Sequence, residues 1–297
     1  MPDQKTTSSF SFSLSLSLSL STMATSEVFD APQPPFDLHG SVALITGGGV
    51  GIGLGFAKEL ISHGAKVVIS GRRATVMEAA QQSTPGILQY YVSDAADPKQ
   101  REDLIARVAA DHPDFNILVN NAGVQHRGSL ADTRPSWEVH QAQIDTNLSA
   151  PLHYCSVAIP FLVKRPRAMI VNVTSGTGFV PMLFVPEYGA TKAAVHYYTL
   201  VLRASLALTS VRVVEIIPPR VKTDLGGAMP DGADVDEFSK AVIARLVAGE
   251  IEIGYDMTDA GRKATRQQQH DTMKGFNARF NPKLVQPAHE PSSSSSS

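Results

Sequence analysis

Two patterns of apolar and polar residues occur along this chain, one typical of strands and one typical of helices. Segments with the two patterns alternate from residue 41 to residue 277. Short runs rich in Val, Ile and Leu fit buried strands, and the longer segments between them carry apolar residues at helical spacing. The predicted strands lie at residues 41–46, 66–70, 87–92, 117–120, 168–174, 211–217 and 250–255. The predicted helices lie at residues 53–62, 75–82, 98–112, 137–163, 188–207, 234–248 and 259–277.

This alternation of strands and helices predicts the fold class. Strands that are apolar throughout are typical of parallel sheets covered by helices on both faces. The chain is therefore predicted to be an α/β protein with a doubly wound parallel sheet of about seven strands. Residues 37–279 form a single predicted domain, between a disordered Ser-rich extension and linker at 1–36 and a disordered tail at 280–297.

Composition narrows the range of partners. The formal net charge of the 297 residues is -2 and basic residues do not form blocks, so neither nucleic acid nor a membrane surface is expected as a partner. Cys155 is the single cysteine, which excludes an intramolecular disulfide and suits a reducing, cytoplasmic location. The nine histidines show no metal-ligand spacing, so no metal is expected.

The N-terminal extension alternates serine with phenylalanine or leucine over residues 8–22. It lacks the continuous apolar stretch of a signal peptide or a membrane span, and we expect neither. One interpretation places the start of translation at Met23. The other makes the extension an organelle transit peptide, against which stands its lack of arginine.

A dense run of glycines joins the first predicted strand to the first helix. Gly47 fits the tight turn, and Gly51, Ile52 and Gly53 bring the backbone and a helix N-terminus close to a pyrophosphate. A flexible loop is the alternative for an isolated glycine cluster, but the strand and helix on either side favour a dinucleotide site. The predicted sheet is therefore of the Rossmann type.

The end of the second strand indicates which dinucleotide binds. NAD sites carry an acidic residue there for the ribose 2′-hydroxyl, whereas this chain reads Ser-Gly-Arg-Arg at residues 70–73. A guanidinium pairs with a 2′-phosphate, so NADP(H) is preferred over NAD(H), with Arg72 as the main contact. Two surface arginines that cap a turn are the alternative.

The candidate catalytic residues follow the later strands. Ser175 ends the fifth strand, and Tyr188 and Lys192 lie one turn apart at the start of the next helix. A tyrosine has a pKa of about 10, and an ammonium one turn away favours its phenolate, which makes it a usable acid and base. Ser175 suits a hydrogen bond to a carbonyl oxygen that becomes negative during reaction.

These features resemble the short-chain dehydrogenase/reductase family over residues 38–225, and within it the oxidoreductases of operons for D-alanylation of teichoic acid and their fungal relatives. The matching pieces are TGGGVGIG, Asp94, NNAG, Asn147, Ser175 and YGATK. The resemblance implies that Tyr188 is the general acid/base, that Lys192 also binds the nicotinamide ribose, and that Asn147 orders a water that feeds protons through Lys192. It further assigns Asp94, Asn121, Val221 and Thr223 to cofactor binding, and Asn120 to the backbone at the end of the fourth strand.

The chain departs from the family pattern after its sixth strand. Pro218 and Pro219 replace the usual Pro-Gly, which predicts a stiffer loop over the nicotinamide. A helix at 234–248 stands where the family has a glycine-rich last strand. The basic positions Arg262, Lys263 and Arg266 are interpreted as a solvated helix face.

The predicted function is hydride transfer between NADP(H) and a carbonyl or secondary alcohol. The alternative is a catalytically silent NADP-binding sensor of the same fold, although cofactor binding alone does not require Ser175. The apolar segment at 178–186 either lines a substrate pocket, with residues 226–234 as its lid, or packs against a second subunit. A homodimer or homotetramer is expected.

Overall fold

The computed structural model describes residues 33–128, 130, 136–227 and 231–280. Most of the predicted extension, the predicted tail from residue 281 and part of the predicted lid lie outside these ranges, and the domain boundaries at 37 and 279 stay predictions. The strands are β1 (Val42–Thr46), β2 (Lys66–Gly71), β3 (Ile87–Val92), β4 (Phe115–Asn120), β5 (Ala168–Val173), β6 (Val211–Ile217) and β7 (Glu252–Gly254). The α-helices are α1 (Gly51–Ser62), α2 (Ala74–Ser83), α3 (Pro98–Asp111), α4 (Trp137–Ile144), α5 (Ala150–Leu162), α6 (Pro186–Ser205), α7 (Val235–Val247), α8 (Met257–Lys263) and α9 (Arg266–Phe280).

The seven strands form one parallel sheet in the order β3-β2-β1-β4-β5-β6-β7. The order reverses between β1 and β4, where the polypeptide leaves the sheet in opposite directions. Ligands of such sheets bind beyond the carboxyl ends of the strands at this point. The predicted fold class and strand number are confirmed.

Alternate residues of the strands face two separate apolar cores. Ala43 and Ile45 of β1 pack with α1, α2 and α7, whereas Val42 and Leu44 pack with α3, α5 and α6. Because both faces are covered, the strands carry apolar residues throughout instead of alternating them with polar ones.

The long helix predicted at 137–163 is interrupted by a π-helical turn at Asp145–Ser149. Pro151 has no N–H to donate to the carbonyl of Asn147 four residues earlier, so the α-helical bonding pattern cannot continue there. The interruption separates α4 from α5 and lies at one of the predicted catalytic residues. Periodicity did not reveal it, since both halves keep their apolar spacing.

Local structure near both ends of the described chain was not predicted from the sequence. Residues 33–36, assigned to the disordered linker, lie against the end of α7: Gln33 N–H donates to the carbonyl of Gly249 and Phe36 N–H to that of Val247. Phe36 is buried, which explains why this part of the linker is ordered. The predicted final helix is divided into α8 and α9. Among the described residues, no helix has both the length and the apolar character needed to cross a membrane.

Candidate active site

The glycine loop lies at the reversal of strand order. Gly47 and Gly51 have φ values of +67° and +52°, a conformation that favours glycine. A Cβ at Gly53 would stand 2.4 Å from the carbonyl oxygen of Gly47, so a side chain there would force the loop open. Asn121 holds the loop by donating from Nδ2 to the carbonyls of Thr46 (2.9 Å) and Gly47 (3.2 Å).

The first turn of α1 presents its backbone to the cleft. Val50 precedes the helix and makes no side-chain cap, and the first turn holds no acidic residue. Gly51, Ile52 and Gly53 all line the cleft. A helix N-terminus of this kind carries partial positive charge and N–H donors, which suits a pyrophosphate.

One cleft of about 2370 Å³ joins the predicted cofactor and catalytic residues. Every predicted site residue except Asn147 lines it. Arg72 and Arg73 follow β2 at one end and are both exposed, and the half-buried Asp94 follows β3 beside them. The carboxylate of Asp94 accepts a bond from Ala96 N–H at 3.0 Å, which fixes the turn into α3.

Ser175 and Tyr188 come together at the catalytic end of the cleft. The hydroxyl of Ser175 accepts bonds from Thr177 N–H (3.2 Å) and the Thr177 hydroxyl (3.1 Å), and it is hydrogen-bonded to Tyr188. Burial raises the pKa of Tyr188 to about 12, and the bond with Ser175 acts in the opposite direction. The lowered pKa expected for Tyr188 is thus not found in the protein alone, because burial outweighs the hydrogen bond.

Lys192 lies one turn beyond Tyr188 on α6. Its Nζ is 5.7 Å from the centroid of the Tyr188 ring and donates to the carbonyl of Val173 at 2.8 Å. Burial lowers the pKa of Lys192 to about 8. The backbone of β5 therefore fixes the ammonium beside the phenol that it is predicted to assist.

Replacing Lys192 by methionine should remove a pH dependence of stability. The lysine pKa is about 8 in the folded protein and 10.5 for the unperturbed side chain. Between these values the unfolded chain binds more protons, so stability should rise with pH. We expect the free energy of unfolding of wild type, relative to Lys192→Met, to increase by about 2 kcal/mol between about pH 7.5 and about pH 9.5 in urea denaturation.

The control for this measurement is Lys240→Met, which changes an exposed lysine on α7. Its stability should keep a constant offset from wild type over the same pH range. A constant offset for Lys192→Met as well would show that burial does not perturb Lys192.

Asn147 lies in the π-helical turn behind Lys192. Its side chain pairs with the backbone of Val124, accepting from the N–H at 2.9 Å and donating to the carbonyl at 2.8 Å. Asn147 and Lys192 both line a separate cavity of about 10 Å³, close to the volume that one water needs. The structure thus brings the predicted proton-relay residues together around a water-sized space.

The segment after β6 forms one wall of the cleft. Pro218 accepts a bond from Gly176 N–H at 3.1 Å, which joins this segment to the loop after Ser175. Val221 is buried, and Lys222 pairs with Ala233. The Thr223 methyl lies 3.0 Å from where a Cβ at Gly51 would be, so Thr223 faces the glycine loop, and its contact with the cofactor stays a prediction.

Two further polar residues lie near the site: Thr46, which the sequence did not identify as a contributor, and Asn120, which the resemblance assigned to the backbone at the end of its strand. The hydroxyl of Thr46 accepts bonds from the N–H groups of Asn121 and Ala122, both at 3.0 Å, and so joins the ends of β1 and β4. Asn120 donates to Asn172 Oδ1 at 2.9 Å within the buried sheet. A polar residue at the last position of an apolar strand is the signal that could have identified Thr46.

Comparison with known proteins identifies the family of the chain. A family model described as short chain dehydrogenase matches residues 41–233. The chain is 37% identical over 248 residues to the uncharacterized oxidoreductase DltE of Bacillus subtilis (strain 168), covering 81% of this chain and 98% of DltE. It is 31% identical to the D-beta-hydroxybutyrate dehydrogenase of Cupriavidus necator, covering 69% of this chain and 83% of that enzyme.

Solved structures show the same fold. A short chain dehydrogenase from Burkholderia cenocepacia J2315 in complex with NADP superposes with a TM-score of 0.70 at 27% identity, covering 80% of this chain and 99% of that one. A metagenomic short-chain oxidoreductase in complex with NADP gives a TM-score of 0.64 at 26% identity, covering 74% and 98%. The family model, the curated relatives and the shared fold lead to one conclusion: the chain belongs to the short-chain dehydrogenase family of NAD(P)-dependent oxidoreductases.

Proposed function

We propose that this protein transfers a hydride between NADP(H) and a carbonyl or secondary alcohol, with Tyr188 as the general acid/base. The observation that carries the proposal is the buried contact of Tyr188 with Ser175, beside Lys192, at one end of the cleft that begins at the glycine loop. A phenol, a hydroxyl and an ammonium at one point suit proton transfer to an oxygen that gains negative charge.

Each residue of the site has its own role in moving a proton to the substrate oxygen or in stabilising that oxygen. The raised pKa of Tyr188 keeps its phenol protonated near neutral pH, so it donates a proton to the substrate oxygen during reduction. Ser175 donates a second hydrogen bond to that oxygen, which strengthens as charge develops. Lys192 and Asn147, on either side of the water-sized cavity, return a proton to Tyr188.

The glycine loop and α1 fit a dinucleotide. The backbone at Gly47 and Gly51 is left-handed, a Cβ would fill the space at Gly53, and the N-terminus of α1 faces the cleft without a side-chain cap. These features leave room for a pyrophosphate against the backbone. When bound, the nicotinamide cofactor supplies the hydride and, in its oxidised form, a positive charge beside Tyr188.

Preference for NADP(H) is supported by the end of β2. Arg72 is exposed, lines the cleft and follows a strand that ends without an acidic residue. A guanidinium there pairs with a 2′-phosphate, while Asp94, Asn121, Val221 and Thr223 line the cleft elsewhere. The NADP complexes of the two similar structures agree with this assignment.

The substrate is proposed to be a fairly apolar carbonyl compound or alcohol. The segment between Ser175 and Tyr188 contributes several apolar side chains to the cleft: Phe179, Val180, Met182, Phe184 and Val185. Burial of apolar substrate surface against such a wall supplies binding energy without fixing one substrate. This lining supports the pocket interpretation of the segment.

A homodimer or homotetramer is proposed from the outer surfaces of α4 and α6. Trp137 on α4 is 66% exposed and Tyr197 on α6 is 71% exposed. Large aromatic side chains are enriched at protein interfaces. A second copy of the chain would bury them.

The test is a screen of the purified full chain with NADPH and a panel of ketones, aldehydes and quinones. We expect NADPH oxidation that depends on the carbonyl compound, with one alcohol formed per NADPH consumed. NADPH binding without oxidation across the panel would instead support the sensor alternative. That outcome would contradict the proposed reaction.

A further inference from the structure

A carboxylate is completely buried directly behind the candidate active site. Glu215 lies on β6 with its side chain 0% exposed. Its Oε1 accepts a bond from the Thr174 hydroxyl at 2.6 Å, and its Oε2 accepts a bond from Nδ1 of His196 at 2.8 Å. One side chain therefore connects the residue that follows β5 with the middle of α6.

Electrostatic attraction adds to the hydrogen bond between His196 and Glu215. Burial opposes protonation of His196, but its hydrogen bond and attraction to Glu215 outweigh that effect, so the pKa of His196 is raised. Glu252 on β7 adds to this attraction and Arg203 on α6 opposes it. Glu252 is itself paired with Arg262 at 3.0 Å, whereas His196 is hydrogen-bonded directly to Glu215.

The two residues held by Glu215 are adjacent to the catalytic residues. Thr174 immediately precedes Ser175. His196 follows Lys192 by one helical turn and Tyr188 by two, so the three share one side of α6. Glu215 thus joins the segment that carries Ser175 to the helix that carries Tyr188 and Lys192.

The imidazole of His196 also contacts the wall of the cleft. The ring of Phe179 packs against it with centroids 4.5 Å apart, and Phe179 lines the cleft between Ser175 and Tyr188. The imidazole is therefore held by a carboxylate at one nitrogen and by an aromatic ring beside it.

We propose that Thr174, Glu215 and His196 form a charged clamp that sets the distance between Ser175 and the Tyr188–Lys192 pair. The clamp residues are positioning residues: Glu215 and His196 do not line the cleft, and Thr174, which does line it, acts through its bond to Glu215. This inference rests on the proposed function. Displacing a reacting group by about 1 Å costs up to about 100-fold in rate, so the clamp should act on kcat and leave cofactor binding unchanged.

The test compares two threonine-to-valine variants of the same design. Thr174→Val removes the bond to Glu215 on β6, whereas Thr199→Val removes a different buried bond, which joins β5 to α6, from Asn172 Nδ2 to the Thr199 hydroxyl at 2.9 Å. We expect Thr174→Val to lower kcat by about 10-fold or more, with KM and the NADPH Kd within about 3-fold of wild type. Thr199→Val should lower the Tm and leave kcat within about 3-fold of wild type.

Two conservative variants test the clamp further, one by restoring kcat and the other by breaking the clamp at Glu215. Thr174→Ser keeps the hydroxyl and should restore kcat, while Glu215→Gln keeps the volume but loses the charge and should lower kcat as Thr174→Val does. His153→Gln, at a partly exposed histidine–glutamate pair 3.7 Å apart between α5 and α3, is the control and should behave as wild type.

Equal kcat losses in Thr174→Val and Thr199→Val would overturn the clamp, because a general loosening of α6 would explain both. Normal kcat in folded Thr174→Val or Glu215→Gln would overturn it too. If Tyr188→Phe abolishes carbonyl reduction while the clamp variants stay fully active, the clamp alone fails. If Tyr188→Phe is fully active, the proposed function fails.

Discussion

Replacing Tyr188 by phenylalanine should lower kcat for carbonyl reduction by about 1000-fold and leave the Kd for NADPH within about 3-fold of wild type. The substitution removes only the hydroxyl, so the buried ring keeps its place against Lys192. Without the phenol, the substrate oxygen would have to take its proton from water in a cleft arranged around a different donor. Stopped-flow kinetics for kcat and fluorescence titration for NADPH binding measure the two effects separately.

Tyr197→Phe is the matched control for this substitution. Tyr197 lies on the same helix, but 71% of it is exposed and it points away from the cleft lining. We expect its kcat and NADPH affinity to equal those of wild type. Full activity of Tyr188→Phe would show that Tyr188 has no role in catalysis. Loss of NADPH binding by this variant would show that the Tyr188 hydroxyl contributes mainly to cofactor binding.

Replacing Arg72 by aspartate should reverse the cofactor preference. In the proposed complex the guanidinium pairs with the 2′-phosphate, and charge-assisted hydrogen bonds of this kind contribute about 1.5–3 kcal/mol each. Their loss, with a carboxylate in place of the cation, should lower kcat/KM for NADPH by about 10- to 100-fold or more. The value for NADH should stay constant or rise, because NADH has no 2′-phosphate to repel.

Arg73→Asp makes the same change of charge at the next position and is the control. Arg73 precedes α2 and also lines the cleft, so this variant separates a local contact from the general field of the loop. We expect its NADPH preference to change by less than about 3-fold. A larger effect at Arg73 than at Arg72 would show that Arg73 is the residue that contacts the 2′-phosphate. An unchanged cofactor preference in both variants would contradict the proposed preference for NADP(H).

The fold was predictable because its signals are local. Each strand of β1 to β6 is an apolar run between polar turns, and such runs mark buried parallel strands whatever their order in the sheet. The π-helical turn at Asp145–Ser149 left no such signal, since the apolar spacing continues across it. The order of residues 33–36 also escaped prediction, because it depends on contact with α7, which lies some 200 residues further along the chain.

The site was predictable where neighbouring residues share one function. The glycines lie between a strand and a helix, and Tyr188 and Lys192 lie one turn apart, so spacing alone places them together. The clamp joins residues from β5, α6 and β6, and a glutamate within an apolar strand gives no hint of its partners. The raised pKa of Tyr188 was missed for the same reason, since burial is a property of the whole fold.

The most direct test of the proposed reaction follows the transferred hydrogen itself. NADPH carrying deuterium in place of both hydrogens at the reactive carbon of the nicotinamide is incubated with wild-type protein and a carbonyl compound from the screen, and the alcohol is analysed by mass spectrometry. We expect one deuterium on the former carbonyl carbon in the wild-type product, and a rate of label transfer about 1000-fold lower with Tyr188→Phe. Alcohol without deuterium, or equal label transfer by both proteins, would contradict hydride transfer assisted by Tyr188.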